Sequence, residues 1–372
     1  MSLLVAMNNY SNSFQKTIDK AFFQLDPISY GKNRNYMDGS VSRLGAYISR
    51  GFLTTRSVYN YVSRMSIDWK AAERFIQELA WRDYWQQIWI SRGNEIFQDL
   101  KSKQMPVVGG GIPLAIKNAK TGIHSVDLAI NELYETGYMH NHMRMYVASI
   151  CCNIAQCHWS VPAKWMYAHL KDGDLASNHL SWQWVAGTKS KKKYYANQEN
   201  INKFFYSNQK NTFLDVEYDV FSNMSIPNEL LECCDFEMDQ FYPLSNEIEN
   251  LESKEDVLVY NYYNIDPHWR EGENVIRIFL IEPSIFELYP VSKASMNFAL
   301  DLAKSIEGMK VFVGEFEELK SIFKSQKIFF KEHPLNNAYK GSEISRDWMT
   351  SVVGEYDSFF KFWKKAKKQL RW

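Results

Sequence analysis

Between Thr54 and Trp184 long amphipathic stretches are punctuated by Gly, Pro and Asn, with no sustained alternation of apolar and polar positions, which predicts helices and not strands. One helix is expected over Ala71–Ser91, ended by Gly93, and another over Val126–Thr136, stopped at Gly137. Residues 102–124 hold Pro106, Gly109, Gly110, Gly111 and Pro113 and read as a loop. After Asn200 the character changes: Asn228–Asp256 is polar and acidic and reads as a linker or wrapping segment. The period then shortens. Strands are expected over Val257–Tyr263, Val275–Glu282, Lys310–Gly314 and Lys327–Lys331, with helices over Lys293–Ile306, Phe316–Lys324 and Asp357–Leu370. That alternation predicts a small α/β module with a partly parallel sheet. The fold class is therefore mostly α: an N-terminal extension (1–27), an all-helical domain (28–227), a linker (228–256) and a small α/β module (257–372).

Composition narrows this picture. A chain of 372 residues that is 45% hydrophobic and 15% aromatic can bury a large core and divide into two domains. No apolar run is long enough to span a bilayer, and the short apolar start Met1–Met7 has no basic flank, so a cytoplasmic protein without a membrane partner is expected. Cys151, Cys152, Cys157, Cys233 and Cys234 show no CxxC spacing and read as reduced, buried thiols, and no metal is expected. The net charge of zero neither requires nor excludes a nucleic-acid partner. Locally, Lys189, Lys191, Lys192 and Lys193 form one basic run, and Lys361, Lys364, Lys365, Lys367, Lys368 and Arg371 a second that reads as a solvated face. Neither GxxxxGK[ST] nor GxGxxG is present.

The chemistry concentrates in a few short stretches. Tyr138–Ser149 reads Tyr-Met-His-Asn-His-Met-Arg-Met-Tyr-Val-Ala-Ser, followed by Asp172-Gly-Asp-Leu-Ala-Ser-Asn178 and Trp182-Gln-Trp184. Upstream stand Tyr30, Arg34, Val41-Ser-Arg-Leu-Gly45 and Glu78-Leu-Ala-Trp-Arg82. Singly these read as turns, caps and core; together, in this order and spacing, they resemble the flavin-binding domain of the photolyase/cryptochrome family. The resemblance runs from Tyr30 to about Thr188.

The residues themselves suit that chemistry. Ser42–Gly45 can place free backbone amides at a helix start, where a diphosphate would sit. Phe75, Glu78 and Arg82 share one helix face, as do Asn141, Met145 and Ser149 on another. The resemblance implies FAD as cofactor. It assigns Tyr30, Ser42, Arg43, Leu44, Gly45, Phe75, Arg82, Asn141, Arg144, Asp172, Asp174 and Asn178 to its binding, with Arg144 paired to Asp172 and Asn178 beside flavin N5. For a lesion pocket it implies Glu78, Trp81, Asn141, Met145, Asn178 and Trp184, and for photoreduction Trp182 and Trp159, with the outer tryptophan of the family missing from residues 90–124. His142 stands where the family has Arg; with Lys189, Lys191, Lys192 and Lys193 it is the expected DNA-facing set. The family's α/β antenna domain precedes the flavin motifs, whereas here the strand pattern follows them. A shortened antenna-like module moved to the C-terminal side is therefore implied, and its length disfavours an antenna chromophore.

The expected function is that of a photolyase: reduced FAD would donate an electron to a cyclobutane pyrimidine dimer in damaged DNA. The alternative is a non-repair relative acting as a blue-light sensor or redox protein.

Overall fold

The computed structural model describes residues 14–190, 192–243, 248, 254–324 and 326–372. Helices make up 48% of it, beside a parallel sheet of five strands. Contacts divide the chain into two compact units that interleave in sequence: the first takes its described residues from 14–27, 42–84 and 239–372, the second from 28–41 and 85–238. Among the described residues no helix is long and apolar enough to cross a membrane.

The second unit is helical. Its helices include His124–Thr136, Asn141–Ser149, Ser160–His169, Leu175–Ala186 and Gln198–Phe205, and a π-helical turn, Ile150–Ile154, extends the second of them. Their inner faces supply one apolar cluster, among it Met143, Tyr146, Val147, Cys151, Trp159, Trp165 and Trp182. The expected stop at Gly137 is observed, because Gly137 closes its helix at φ 71°, a conformation that costs other residues energy. Within the expected loop, strand β1 (Ile112–Pro113) pairs antiparallel with β2 (Cys233–Cys234), and Leu114–Lys117 forms one helical turn. Residues 228–238 thus wrap onto this unit and bury Leu230.

In the first unit β3 (Val257–Tyr260), β4 (Ile276–Ile281), β5 (Met309–Val313), β6 (Ile328–Lys331) and β7 (Ser342–Ile344) form a sheet of order β5-β4-β3-β6-β7, parallel throughout. The chain winds outward from β3 through β4 to β5, then returns to the other side of β3, so β3 and β4 are buried along their whole lengths. The helices Lys293–Lys304 and Phe316–Ile322 lie in the connections, close to their expected ranges. Strand β3 is shorter than expected because the chain turns at Asn261, which bridges to Asn264. The C-terminal helix is also shorter, Phe359–Ala366, capped by Ser358, with Phe359, Phe362, Trp363 and Ala366 buried. The expected helix at Ala71 is observed as Trp69–Arg92, and ends at Gly93 with φ 53°. It starts in the first unit and passes into the second at Trp85.

Candidate functional site

The expected site residues are distributed over both units. In the first, Gly45–Ser49 is a helix of five residues. The Ser42 hydroxyl already accepts the Leu44 amide at 3.3 Å, and Arg43 adopts φ 56° to make the turn. Leu44 itself is core, its side chain fully buried. On the long helix Phe75 is buried, Glu78 is within 3.4 Å of Arg74 in an i,i+4 ion pair, and Arg82 donates to the Ser49 hydroxyl at 3.1 Å. Trp81, expected to offer its ring to a base, has one face covered: Phe359 stacks on it at 3.9 Å between centroids and 9° between planes, while Tyr84 meets it edge-on. Nothing in the sequence pairs positions 81 and 359; the C-terminal apolar face, Phe359, Phe362 and Trp363, shows only that it must cover something.

The second unit brings the Asp-Gly-Asp motif, the Asn141 helix and Asn178 together. Arg144 donates through Nη2 to both Asp172 oxygens, at 2.9 and 3.0 Å, and through Nε to the Met139 carbonyl at 2.8 Å, so the expected pair is present and the guanidinium is oriented at both ends. Gly173 is required by close packing, since a Cβ there would fall 2.8 Å from the Tyr167 carbonyl oxygen. Asp174 caps the following helix, accepting the Ser177 amide at 2.7 Å with one oxygen and the Gln86 side chain at 2.6 Å with the other. Its carboxylate is spent on structure as much as on any ligand. The Asn178 amide donates from Nδ2 to the Ala163 carbonyl at 2.8 Å; because that carbonyl can only accept, Oδ1 is the end left to accept a hydrogen. Between these residues the Ser177 hydroxyl is buried with no partner, the mark of a polar group that a bound cofactor would satisfy. The residues therefore fit a flavin. Asn141 is exposed and Met145 half-buried on the preceding helix; Tyr30 sits under the Arg34 guanidinium, 5.8 Å from its ring centroid.

Two expectations need correction. His142 does not present a cation to phosphate. It is buried, its Nδ1 is 3.1 Å from the Asn35 carbonyl, and it packs on Tyr146 and Phe204, and burial lowers its pKa, so the neutral imidazole is favoured. The basic run is not one exposed face either. Lys192 is exposed, but Lys189 lies 5.1 Å from the Trp85 ring centroid and Lys193 is half-buried, with burial pulling its pKa down; Lys191 lies outside the described residues.

Trp182 and Trp159 are both buried. Trp159 donates its indole hydrogen to Asp99 at 2.7 Å, with His158 Nε2 3.3 Å from the same oxygen, and Gln104 fixes the Trp159 backbone at 2.9 Å. Gln86, Asp99 and Gln104 escaped the sequence reading because each is an ordinary polar residue whose importance comes from a partner distant in the chain, and Ser177 because burial of its hydroxyl is decided by packing.

Residues 75–213 match the sequence profile described as the FAD binding domain of DNA photolyase. Among curated relatives, a deoxyribodipyrimidine photo-lyase of Alkalihalophilus pseudofirmus is 30% identical over 162 residues, covering 42% of this chain and 34% of its own. A cryptochrome DASH of Gloeobacter violaceus is 31% identical over 179 residues, covering 46% of this chain and 36% of its own. The chain thus spans about a third of the length of these relatives. Among solved structures, a Synechocystis sp. cryptochrome is 25% identical, covering 52% of this chain and 43% of its own, with a TM-score of 0.47. Residues 75–213 are thus similar to the FAD-binding domain of DNA photolyases, and the relatives they resemble include both photolyases and cryptochromes.

Proposed function

We propose that this protein is a light-driven, FAD-dependent enzyme that returns cyclobutane pyrimidine dimers in DNA to pyrimidines, acting in the cytoplasm. The observation that carries the reading is the pinned Asn178 amide, whose free oxygen suits a ring nitrogen that bears a hydrogen, as in a reduced flavin. FAD, when bound and reduced, supplies the electron and the light absorption. The protein supplies orientation and charge. Arg144 fixes the direction of the Asp172 carboxylate, and Asn141 and Met145 project from the same helix as Arg144. Asp174 sets the start of the Asn178 helix. Trp184, about two-fifths exposed, offers a ring on which a base can stack, and exposed Lys192 offers a phosphate contact. Roles for Tyr30, Ser42, Arg43, Leu44, Gly45, Phe75 and Arg82 in holding the cofactor, and for Glu78 and Trp81 in holding the dimer, belong to the same proposal. So do Trp182 and Trp159 as the route of photoreduction, with Asp99 taking the indole hydrogen bond, and the parallel sheet as a shortened antenna-like module.

The alternative, a blue-light sensor or redox protein of the same family, is favoured by the Phe359 ring on Trp81 and by the buried His142. Purified protein is expected to show flavin absorption and, under blue light but not in darkness, to remove dimers from an oligonucleotide. Flavin absorption without light-dependent loss of dimers selects the alternative; no flavin absorption overturns both.

A further inference from the structure

Cys151, Cys152 and Cys157 are buried and Cys233 and Cys234 half-buried, and all five are unbridged. Two of them meet: the sulfurs of Cys157 and Cys233 are 3.4 Å apart although 76 positions separate them in sequence. The backbone holds both in place. Cys157 follows the π-helical turn; its amide bonds the Cys151 carbonyl at 3.0 Å and its carbonyl accepts the Gln104 side chain at 2.7 Å. Cys233 lies on β2, whose close approach to β1 depends on Gly111. Gly111 has φ 93°, and a Cβ there would fall 2.4 Å from the Cys234 carbonyl oxygen. Gly109 bridges to Cys157 and a Cβ on it would lie 3.9 Å from the Cys233 sulfur. Gly111, which reads as loop punctuation in the sequence, therefore lets this backbone close against β2 beside the two thiols.

We propose that Cys157 and Cys233 are a redox-active dithiol that a peroxide-class oxidant closes into a disulfide, fastening β2 to the helical core of the second unit. Cys233, the half-exposed partner, is the sulfur an oxidant reaches first. Its sulfur forms a bond to one peroxide oxygen as the oxygen–oxygen bond breaks, giving a sulfenic acid and one water. The Cys157 sulfur then attacks the Cys233 sulfur; the sulfur–sulfur bond forms, the sulfur–oxygen bond breaks, and the hydroxide leaves with the Cys157 proton as a second water. Burial and the neighbouring Cys233 thiol push the Cys157 pKa up, so Cys157 enters the exchange as a thiol and gives its proton to the leaving hydroxide. A two-residue strand such as β2 can give by the small distance that bond formation requires.

The test uses the full chain, freshly reduced and then exposed to hydrogen peroxide, and needs neither light nor flavin, so its outcome is separate from that of the repair assay. Two of the five thiols should be lost, the intact mass should fall by two hydrogens, and one digest fragment should join Cys157 to Cys233, all reversed by dithiothreitol. Cys234→Ser should leave the cross-link intact, whereas Cys157→Ser and Cys233→Ser should each abolish it. Retention of all five thiols, oxidation of Cys233 to a sulfinic acid without a cross-link, or a link to any other cysteine or between chains would each overturn the proposal.

Discussion

Asn178 has one end of its amide tied to the Ala163 carbonyl and the other free to accept. Replacing it by Ala should leave the fold intact but remove one hydrogen bond to a reduced cofactor. About 1.4 kcal/mol is at stake, so reduced flavin should reoxidise about tenfold faster in the dark, followed by the return of oxidised absorption. Arg144→Ala is more severe. It strips the half-buried Asp172 of a charge-assisted partner, and the loss should be about 2 kcal/mol in urea denaturation together with weakened FAD retention on gel filtration. The Arg144–Asp172 pair was legible in the sequence because the resemblance spans both motifs. The burial of His142 was not, since the Asn35 carbonyl and Phe204 that enclose it lie far away in the chain.

Helices carry the site, and their caps are individually testable. Asp174→Ala removes the cap of the Leu175–Ala186 helix, costing about 1 kcal/mol, and also removes the carboxylate oxygen to which the buried Gln86 amide donates. The denaturation midpoint should fall further than for a comparable exposed cap such as Ser358→Ala. At the C-terminal helix, Phe359→Ala takes away a ring that is 2% exposed and stacked on Trp81, and should destabilise by about 3–5 kcal/mol with a change in tryptophan fluorescence. Phe360→Ala, at a ring 64% exposed, should stay within about 0.5 kcal/mol. Helix and strand positions were largely readable because hydrophobic periodicity and Gly or Pro stops are local signals. The short strands β1, β2 and β7 were not, because two or three residues carry no period and form only where a partner strand is offered.

On the scale of the whole molecule, two buried carboxylates tie stability to pH. Burial raises Asp83 to about 6, despite its bonds from Thr55 and the Met349 amide, and raises Glu282 to about 7, despite its bonds from Tyr339 and the Phe316 amide. Both folded-state values lie above the ordinary 3.8 and 4.5, so the native state holds these protons more tightly than the unfolded chain. The stabilisation is complete below the ordinary carboxylate range and is lost as pH rises through about 6 for Asp83 and about 7 for Glu282. The urea midpoint should therefore be lower at pH 8 than at pH 5. Glu282→Gln, which keeps a neutral group of the same shape, should flatten that slope by an amount on the order of 2 kcal/mol.

The linear chain by itself determined most of the longer helices and strands, because period and stop residues act over a few positions, and the resemblance of its helical part to a flavin-binding domain, because the motifs are dense and ordered. Only the tertiary structure decided what those segments touch. It interleaved the two units along the chain, set Phe359 on Trp81, enclosed His142 and brought Cys157 to Cys233. Burial and long-range contact are properties of the packed chain, and no local pattern encodes a partner that arrives from a distant part of the sequence.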